Sequence, residues 1–434
     1  MTFARYPEYK DSGVEWLGEV PEHWEVKRVG YYFDERREKV SDKDFEALSV
    51  TKNGVVPQLE TAAKTDDGDN RKKVCAGDFV INSRSDRKGS SGASHLDGSV
   101  SLINIVLNPS DEIAIQFAHH LLRNQPFQEE YYRYGKGIVA DLWSTNYSEM
   151  KNINLAVPPV PEQQTIAAFL DLETGKIDAL IAEQQRLVEL LAEKRQAEIS
   201  HAVTKGLNPN APMKDSGIEW LGEVPGHWEV KRLRFVAELN PSKSEVAALD
   251  KEMLVSFLPM DAIGDDGKLN LERGKPIAEV ETGYTFFREG DVTIAKITPC
   301  FENGKGAVMR GLTQGIGFGT TELIVARPKA SQTSSDYLHS LFVSVVFRKN
   351  GEGRMYGAGG QKRVPDDFVR NFEIAFPPLE EQQTIAAFLD RETAKFDALT
   401  AEANRAIALL QERRSALISA AVTGKIDVRG LASA

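Results

Sequence analysis

Ten residues occur twice in this chain without a change. Residues 162–171 read Glu-Gln-Gln-Thr-Ile-Ala-Ala-Phe-Leu-Asp, and the same ten return at 381–390. Each copy opens a long stretch of helical periodicity with no proline, reaching Val203 in the first case and Val422 in the second. Apolar residues recur at alternating steps of four and three: Ile166, Leu170, Ile177, Leu180, Leu187 and Leu191, then Ile385, Leu389, Phe396, Leu399, Leu410 and Leu417, with Ile407 beside Ala406. A repeat near 3.5 residues puts such side chains on one seam, so each helix requires a partner helix. At 1.5 Å per residue, ~30 residues make a rod of roughly 45 Å. Two rods, each preceded by a globular stretch, predict a spacer that sets a distance.

A second duplication lies upstream. Residues 10–28 recur at 214–232 with two changes, Val14 to Ile218 and Glu22 to Gly226. The offset is 204 residues from Lys10 to Lys214 and 219 from Glu162 to Glu381, so the second module carries 15 more residues between shared ends. The chain reads as two tandem modules. Their middles diverge but retain a common order. Gly77-Asp78 and Gly290-Asp291 each open a β-rich run, and Ile105 to Pro109 and Ile324 to Pro328 each read as a strand ended by proline. An amphipathic helix follows in both, with Phe117, Leu121 and Leu122 or Leu338, Leu341 and Phe342 on its apolar face. Gly/Asp clusters at 64–70 and 264–267 read as turns, and the run from Lys205-Gly206 to Pro212 as a helix stop and linker. Each module is thus a mixed α/β scaffold whose loops have diverged.

Composition excludes several classes. No apolar run approaches the ~18 residues of a membrane span, and the first residues carry no signal-peptide core, which predicts a cytoplasmic protein without membrane contact. Cys75 and Cys300 stand far apart without metal-ligand spacing. A net charge of −11 argues against coating a polyanion with the whole surface, yet leaves room for a local basic groove. Two stretches are basic, 71–95 and 348–370, with six Lys/Arg each against two and three acids.

Catalytic signatures are missing. There is no phosphate-binding Gly-x-x-x-x-Gly-Lys-Ser/Thr loop, no Ser/His/Asp elbow and no acidic cluster of a metal nuclease. Gly315-Ile-Gly-Phe-Gly319 lacks the dinucleotide spacing. The Pro-Pro pairs at 158–159 and 377–378 lack the polar and aromatic neighbours of an amino-group methyltransferase loop, and read as helix openers. His23 and His227 have no second ligand at metal spacing and read as structural. Trp16, Trp24, Trp220 and Trp228 sit in the duplicated lead segment, where they either pack it onto its own module or anchor a partner protein. Glu173 and Glu392 share a seam slot, where a polar residue sets register unless Gly175 opens a solvated kink.

Taken together, the repeated Trp-Leu-Gly-Glu-Val-Pro-x-His-Trp, the Pro-Pro-x-x-Glu-Gln-Gln-Thr-Ile-Ala-Ala-Phe-Leu-Asp helix openings, Ile177-Asp-Ala-Leu-Ile181 and the closing Ala-Val-Thr before Lys205 or Gly424 resemble the specificity subunit of Type I restriction–modification systems. The resemblance covers the whole layout and is silent inside the middles. It implies an α+β chain with two tandem pseudo-repeated α/β target-recognition domains separated by two long antiparallel helices, a coiled coil. The expected boundaries are 1–157 for the first domain, 158–206 for the first helix spacer, 207–376 for the second domain, and 377–434 for the second spacer and tail. It further implies a non-catalytic subunit that reads a split, asymmetric double-stranded DNA site. Two adenine methyltransferase subunits and motor-nuclease subunits would dock on it, and S-adenosylmethionine, ATP and Mg would be held in those partners, with none in this chain. Base-reading candidates in the middles are Arg84, Arg87 and Lys88, then Lys296, Asn303, Lys305, Gln361, Lys362 and Arg363, side chains suited to guanine and adenine edges or to phosphate. Partner-docking or spacer candidates are Trp16, Trp24, Trp220, Trp228, Gln163, Gln164, Gln382 and Gln383. The alternative class is a DNA-binding regulator or coiled-coil scaffold with two ligand-binding heads, which would need no methyltransferase and is distinguished by co-purification.

Overall fold

The computed structural model describes residues 3–60, 68–137, 143–358 and 360–431, so most of the turn expected at 64–70 lies outside the described residues. Two compact units are formed, 1–185 with 404–434, and 186–403. Both divisions fall inside long helices, Val160–Lys205 (46 residues) and Leu379–Val422 (44 residues). Each unit therefore holds the start of one long helix and the end of the other.

In the first unit an antiparallel sheet has the order Ser91–Ala93, Phe79–Asn82, Asn104–Pro109, Phe33–Glu35. Phe79–Asn82 is buried along its whole length, which is why Phe79-Val80-Ile81 reads as a continuous apolar run rather than an alternation. The second unit repeats the sheet as Gly306–Val308, Val292–Ala295, Leu323–Pro328, Ala237–Leu239. The Gly-Asp turns ahead of the central strands match as well. Asp78 and Asp291 are both 1% exposed, and each takes a two-point bond from an arginine of a neighbouring strand region, Arg36 at 2.8 and 3.0 Å and Arg327 at 2.8 and 2.9 Å.

The second unit also has a four-stranded sheet, Gly274–Pro276, Leu254–Leu258, Ile316–Gly319, Thr285–Arg288, with one parallel pair, where the first has the three strands Gly98–Val100, Arg71–Val74 and Lys39–Val40. Gly317 is central to it: a Cβ there would stand 2.2 Å from the Phe287 ring. The glycines at 315–319 thus serve strand packing, not a nucleotide loop.

The predicted amphipathic helices are Ile115–Leu121 and Ser335–Val343, with Phe117, Leu121, Leu338 and Leu341 fully buried. Both Pro-Pro pairs immediately precede a long helix, and the carbonyls of Pro159 and Pro378 accept from Gln163 N and Gln382 N. Ile166, Leu170 and Ile177 join the first core together with Leu417, Ala421 and Val422, while Ile385 and Leu389 join the second with Ile199, Ala202 and Val203. A fully buried aliphatic of this kind contributes about 1.5–3 kcal/mol.

Within each unit the helix halves are antiparallel. In the first, Asp178 pairs with Arg414 at 2.8 Å, while nearer the helix ends Trp24 touches both Glu162 and the Gly424 position. In the second, Arg195 lies 3.8 Å from Asp397 and Gly206 approaches Glu381.

The seam departs from its sequence reading in the middle. Leu180, Leu187 and Leu399 are 47, 41 and 48% exposed. Half-buried Ile181, Gln184, Val188 and Thr400, with buried Ala403, occupy the slots instead. From Ile177 a step of four, not three, preserves the alternation, so the seam passes Ile181 and leaves the adjacent leucine outside. Glu173 and Glu392 set no register across the seam. They bond Lys176 at 2.7 Å and Lys395 at 3.0 Å along their own helices, and the first helix runs unbroken through Gly175.

Candidate nucleic-acid interface

In each unit the central strand leaves the sheet and meets a hairpin that starts some fifty residues later in the chain. In the first, Phe79–Asn82 continues into Ser83-Arg84-Ser85. Ser83 N donates to Ile103 O (3.1 Å), Thr145 N to Ser83 O (3.0 Å) and Ser85 N to Trp143 O (2.9 Å). Lys136 and Ser144 exchange backbone bonds at 3.0 and 3.1 Å; residues 138–142 lie outside the described set.

The second unit makes the same pattern. Lys296 N donates to Glu322 O (2.8 Å), Val364 N to Lys296 O (2.8 Å) and Thr298 N to Lys362 O (2.9 Å). Tyr356 and Arg363 exchange bonds at 3.1 and 2.8 Å. Backbone bonds therefore equate Arg84 with Ile297, Trp143 with Lys362, Ser144 with Arg363 and Lys136 with Tyr356. One scaffold edge presents different side chains in the two units.

Most of the base-reading candidates fall on or beside this edge. Arg84, Arg87 and Lys88 are exposed; Arg84 has no ion-pair partner among the described residues, Arg87 lies 3.6 Å from Asp86, and Lys88 bonds Glu129 at 2.6 Å. Lys296, Gln361, Lys362 and Arg363 are brought together, Gln361 and Lys362 exposed and the other two half-buried. Arg363 grips Glu322 at 2.6–3.2 Å, and this bond holds the Glu322 carboxyl below its ordinary range against the opposing effect of burial. Asn303 is exposed on the adjoining loop, whereas Lys305 is only 17% exposed and lies 3.7 Å from Asp265. Sequence reasoning missed Trp143 and Tyr356, 40 and 63% exposed, which place an aromatic face on each edge. For Tyr356 an aromatic within the basic stretch 348–370 was the available signal, whereas Trp143 lies outside both basic stretches and had only its place in the divergent middle.

The docking candidates divide. Trp24 and Trp228 are fully buried, and each indole N–H donates to a first-turn glutamate of a long helix, Glu162 at 3.0 Å and Glu381 at 3.2 Å. His23 and His227 reach the same carboxylates at 2.7 and 2.6 Å, and Tyr6 Oη donates to Glu162 at 2.8 Å. Burial first, then the Glu162 carboxylate, pushes the Tyr6 phenol above its ordinary value. Gln163 and Gln382 are also fully buried. Gln163 accepts from Ala114 N at 2.7 Å and donates to Glu112 O and Pro158 O at 3.0 and 2.9 Å. Gln382 accepts from Thr333 Oγ1 at 2.8 Å and donates to Gln332 O and Pro377 O at 2.9 and 3.0 Å. These four residues clamp lead segment, head and helix of their own unit, and have no surface left for a partner. Gln164 and Gln383 are exposed. Trp220 is 40% exposed and stacks on Phe372 at 5.3 Å, while Trp16 is half-buried beside Phe127 at 6.3 Å. No grouping of His, Cys, Asp or Glu able to hold a metal ion occurs among the described residues, and no described helix is long and apolar enough to cross a membrane.

Residues 225–408 match the family described as the Type I restriction modification DNA specificity domain. Over 165 residues the chain is 48% identical to the Type I restriction enzyme EcoAI specificity subunit of Escherichia coli; that stretch is 38% of this chain and spans only 27% of the relative. The EcoKI specificity subunit of Escherichia coli strain K12 aligns over 95% of this chain and 91% of its own length at 22% identity. A solved chain, from work on complex assembly and conformational transition of the type I R-M system, superposes with a TM-score of 0.69. It covers 93% of this chain and 98% of its own at 18% identity, a likeness of fold. Over residues 225–408 the chain is thus similar to the Type I restriction modification DNA specificity domain, and over most of its length it shares the fold of a solved chain of a type I R-M system.

Proposed function

We propose that this chain is the non-catalytic DNA-recognition subunit of a Type I restriction–modification complex, reading a split, asymmetric double-stranded site with one word per head. The carrying observation is the pair of equivalent loop-and-hairpin edges with different side chains at matched positions: Arg84 against Ile297, Trp143 against Lys362, Ser144 against Arg363. Cationic and amide side chains on such an edge suit base edges and phosphates, and the exposed aromatics suit thymine methyl or sugar contact. Two methyltransferase subunits would supply the flipped-base chemistry with S-adenosylmethionine. Motor-nuclease subunits would supply ATP- and Mg-dependent cleavage, leaving this chain to position them in the cytoplasm. Gln164, Gln383 and Trp220 remain the surface candidates for that docking.

The test is a map of methylated adenines in cells that express the chain with its methyltransferase. Gln361→Ala with Lys362→Ala should relax one half-site word, since each two-point bond to a base edge supplies about 1–3 kcal/mol of discrimination, and leave the other word intact. Arg84→Ala with Arg87→Ala should do the converse. An unchanged motif in both variants would remove these edges from recognition, and methylation by the purified chain alone would refute the non-catalytic reading.

A further inference from the structure

The pseudo-repeat supplies a cleft in each unit at the same place, between the amphipathic helix of the head and the end of a long helix. In the first unit the cleft has a volume of about 610 Å³ and is lined by Lys52, Lys88, Arg123 and Arg414, with Glu129 as the one carboxylate among the described residues that line it. Its counterpart in the second unit, about 450 Å³, holds Arg195 and Arg310 against Asp266, Asp336 and Asp390. The correspondence is residue by residue. His119 matches His339, Arg414 matches Arg195, and the helix caps Asn124 and Ser344 each accept from the backbone N–H three residues on, Phe127 at 2.9 Å and Phe347 at 3.3 Å. Arg123 therefore stands where the second unit has Val343.

Two of the four cations of the first cleft are already neutralised, Arg414 by Asp178 at 2.8 Å and Lys88 by Glu129 at 2.6 Å. Arg123 is not. Its guanidinium contacts His119 Nε2 at 2.6 Å and donates to the carbonyl oxygen of Lys52 at 2.5 Å, both uncharged partners. Burial of Arg123 and, after it, the nearby Arg414 both oppose its charge. His119 is itself kept neutral by burial and by Arg123, so it adds no compensating charge at neutral pH. Asn124, Gln125 and Gln128 line the same space; the Asn124 and Gln128 amides are held by the carbonyls of Leu121 and Arg123 at 2.6 and 2.7 Å and Asn124 caps Phe127 N, so among the described residues the cleft's free donors are its cations and the Gln125 amide. A partly buried guanidinium without a carboxylate, beside a second cation, is costly unless an anion completes it.

We propose that this cleft of the first unit binds a phosphate group, as a monoester or diester, with Arg123 and Lys52 as its principal cations, and that the second unit has no such site. A free small phosphate and a DNA backbone phosphate share this chemistry; of the base-reading candidates Lys88 also lines the cleft, but it is not one of the two principal cations.

The experiment is calorimetric titration of the full chain with pyrophosphate in low-salt chloride buffer. One saturable site per chain is expected. Arg123→Gln should weaken it by at least about tenfold, the effect of removing a charge-assisted bond. Lys52 is exposed on a hairpin tip, so Lys52→Gln keeps the fold and should weaken binding severalfold, which decides the matter if Arg123→Gln is unstable. Arg310→Gln, in the second cleft, should bind as the unsubstituted chain does. Competition by a duplex without any recognition site would identify the occupant as backbone phosphate, and retained pyrophosphate binding beside the duplex would identify it as a free phosphate ester. Absence of saturable binding, or equal affinity in the Arg123 and Lys52 variants, overturns the site.

Discussion

The clamp on the repeated first-turn glutamate of each long helix gives the sharpest stability test, because the two copies differ in burial. Glu162 has a side chain only 9% exposed and three donors, Tyr6 at 2.8 Å, Trp24 at 3.0 Å and His23 at 2.7 Å. Glu381 is 29% exposed and has two, His227 at 2.6 Å and Trp228 at 3.2 Å. A bond to a charged acceptor is worth about 1.5–3 kcal/mol when its donor is buried. The His23 contact, 40% exposed, adds at most about 1 kcal/mol. Glu162→Ala strands a buried phenol and a buried indole N–H, so with some relaxation the cost should be about 3–5 kcal/mol. Glu381→Ala, with fewer and wetter bonds, should cost about 1–2 kcal/mol. Amide exchange followed by mass spectrometry reads the two lead segments separately. Peptides within 17–28 should exchange more than about a hundredfold faster in Glu162→Ala, and peptides within 221–232 about tenfold faster in Glu381→Ala. Full protection of 17–28 in the first variant, or equal effects in the two, would refute the reasoning.

Three further outcomes are expected. Gly424→Ala should destabilise the first unit more than Gly206→Ala does the second, as read by thermal melting. Both glycines have positive φ (71° and 73°), but a new Cβ would meet Pro21 at 2.3 Å in one case and Trp228 at 3.2 Å in the other. Burial, then Arg123, pushes the His119 imidazole down to about 3. The unfolded chain binds a proton there below ~6.5, so this contribution is complete above that pH and is lost as pH falls towards 3, by at most about 1.4 kcal/mol per pH unit. The urea stability of His119→Gln should accordingly fall less steeply between pH 6.5 and 4 than that of the unsubstituted chain. Four residues inserted after Gln184 and four after Ala403 lengthen both helices by ~6 Å. Methylation mapping should then show the site gap longer by about one or two base pairs with both words unchanged, whereas an indifferent gap would show that the helices are not its ruler.

Much of this architecture is legible in the sequence because duplication exposes it. Repeated ends and shared order in the middles point to two modules, and the strands at 79–82 and 292–295 are evident as apolar runs. What is not legible depends on partners far away in the chain. Trp24 and Gln163 have the composition of an interface, and only distant partners turn them inward, Glu162 lying 138 residues from Trp24 and the backbone of Glu112 and Ala114 some fifty from Gln163. The seam is ambiguous at Leu180 because a leucine and an isoleucine stand side by side, and periodicity alone does not choose between them. The edge that joins Lys296 to Lys362 and Arg363 is made by backbone bonds between segments more than sixty residues apart, which no local pattern encodes.

The sequence repeat and the structural repeat are also cut at different places. In the second unit the helix end at Lys205 leads directly by chain into its lead segment, and Lys205 Nζ donates to Leu221 O and Glu223 O. In the first unit the corresponding helix end is near the other end of the chain. Lys425 Nζ donates to Leu17 O at 3.0 Å and Glu19 O at 2.6 Å, the matching carbonyls, while Asp427 N donates to Ala4 O and Tyr9 Oη to Gly424 O. The order of residues is reversed, Lys-Gly after the first helix and Gly-Lys after the second, yet the lysine reaches the same two acceptors. A left-handed glycine turns the backbone in both cases, and a flexible lysine stem takes up the one-residue difference. Non-covalent bonds thus replace in one unit the connection that the chain makes in the other. The first unit is complete only when residues 423–428 pack against the lead segment, with Val428 fully buried. That makes residues 423–428 a structural part of the first unit, although they lie some four hundred residues from its lead segment in sequence.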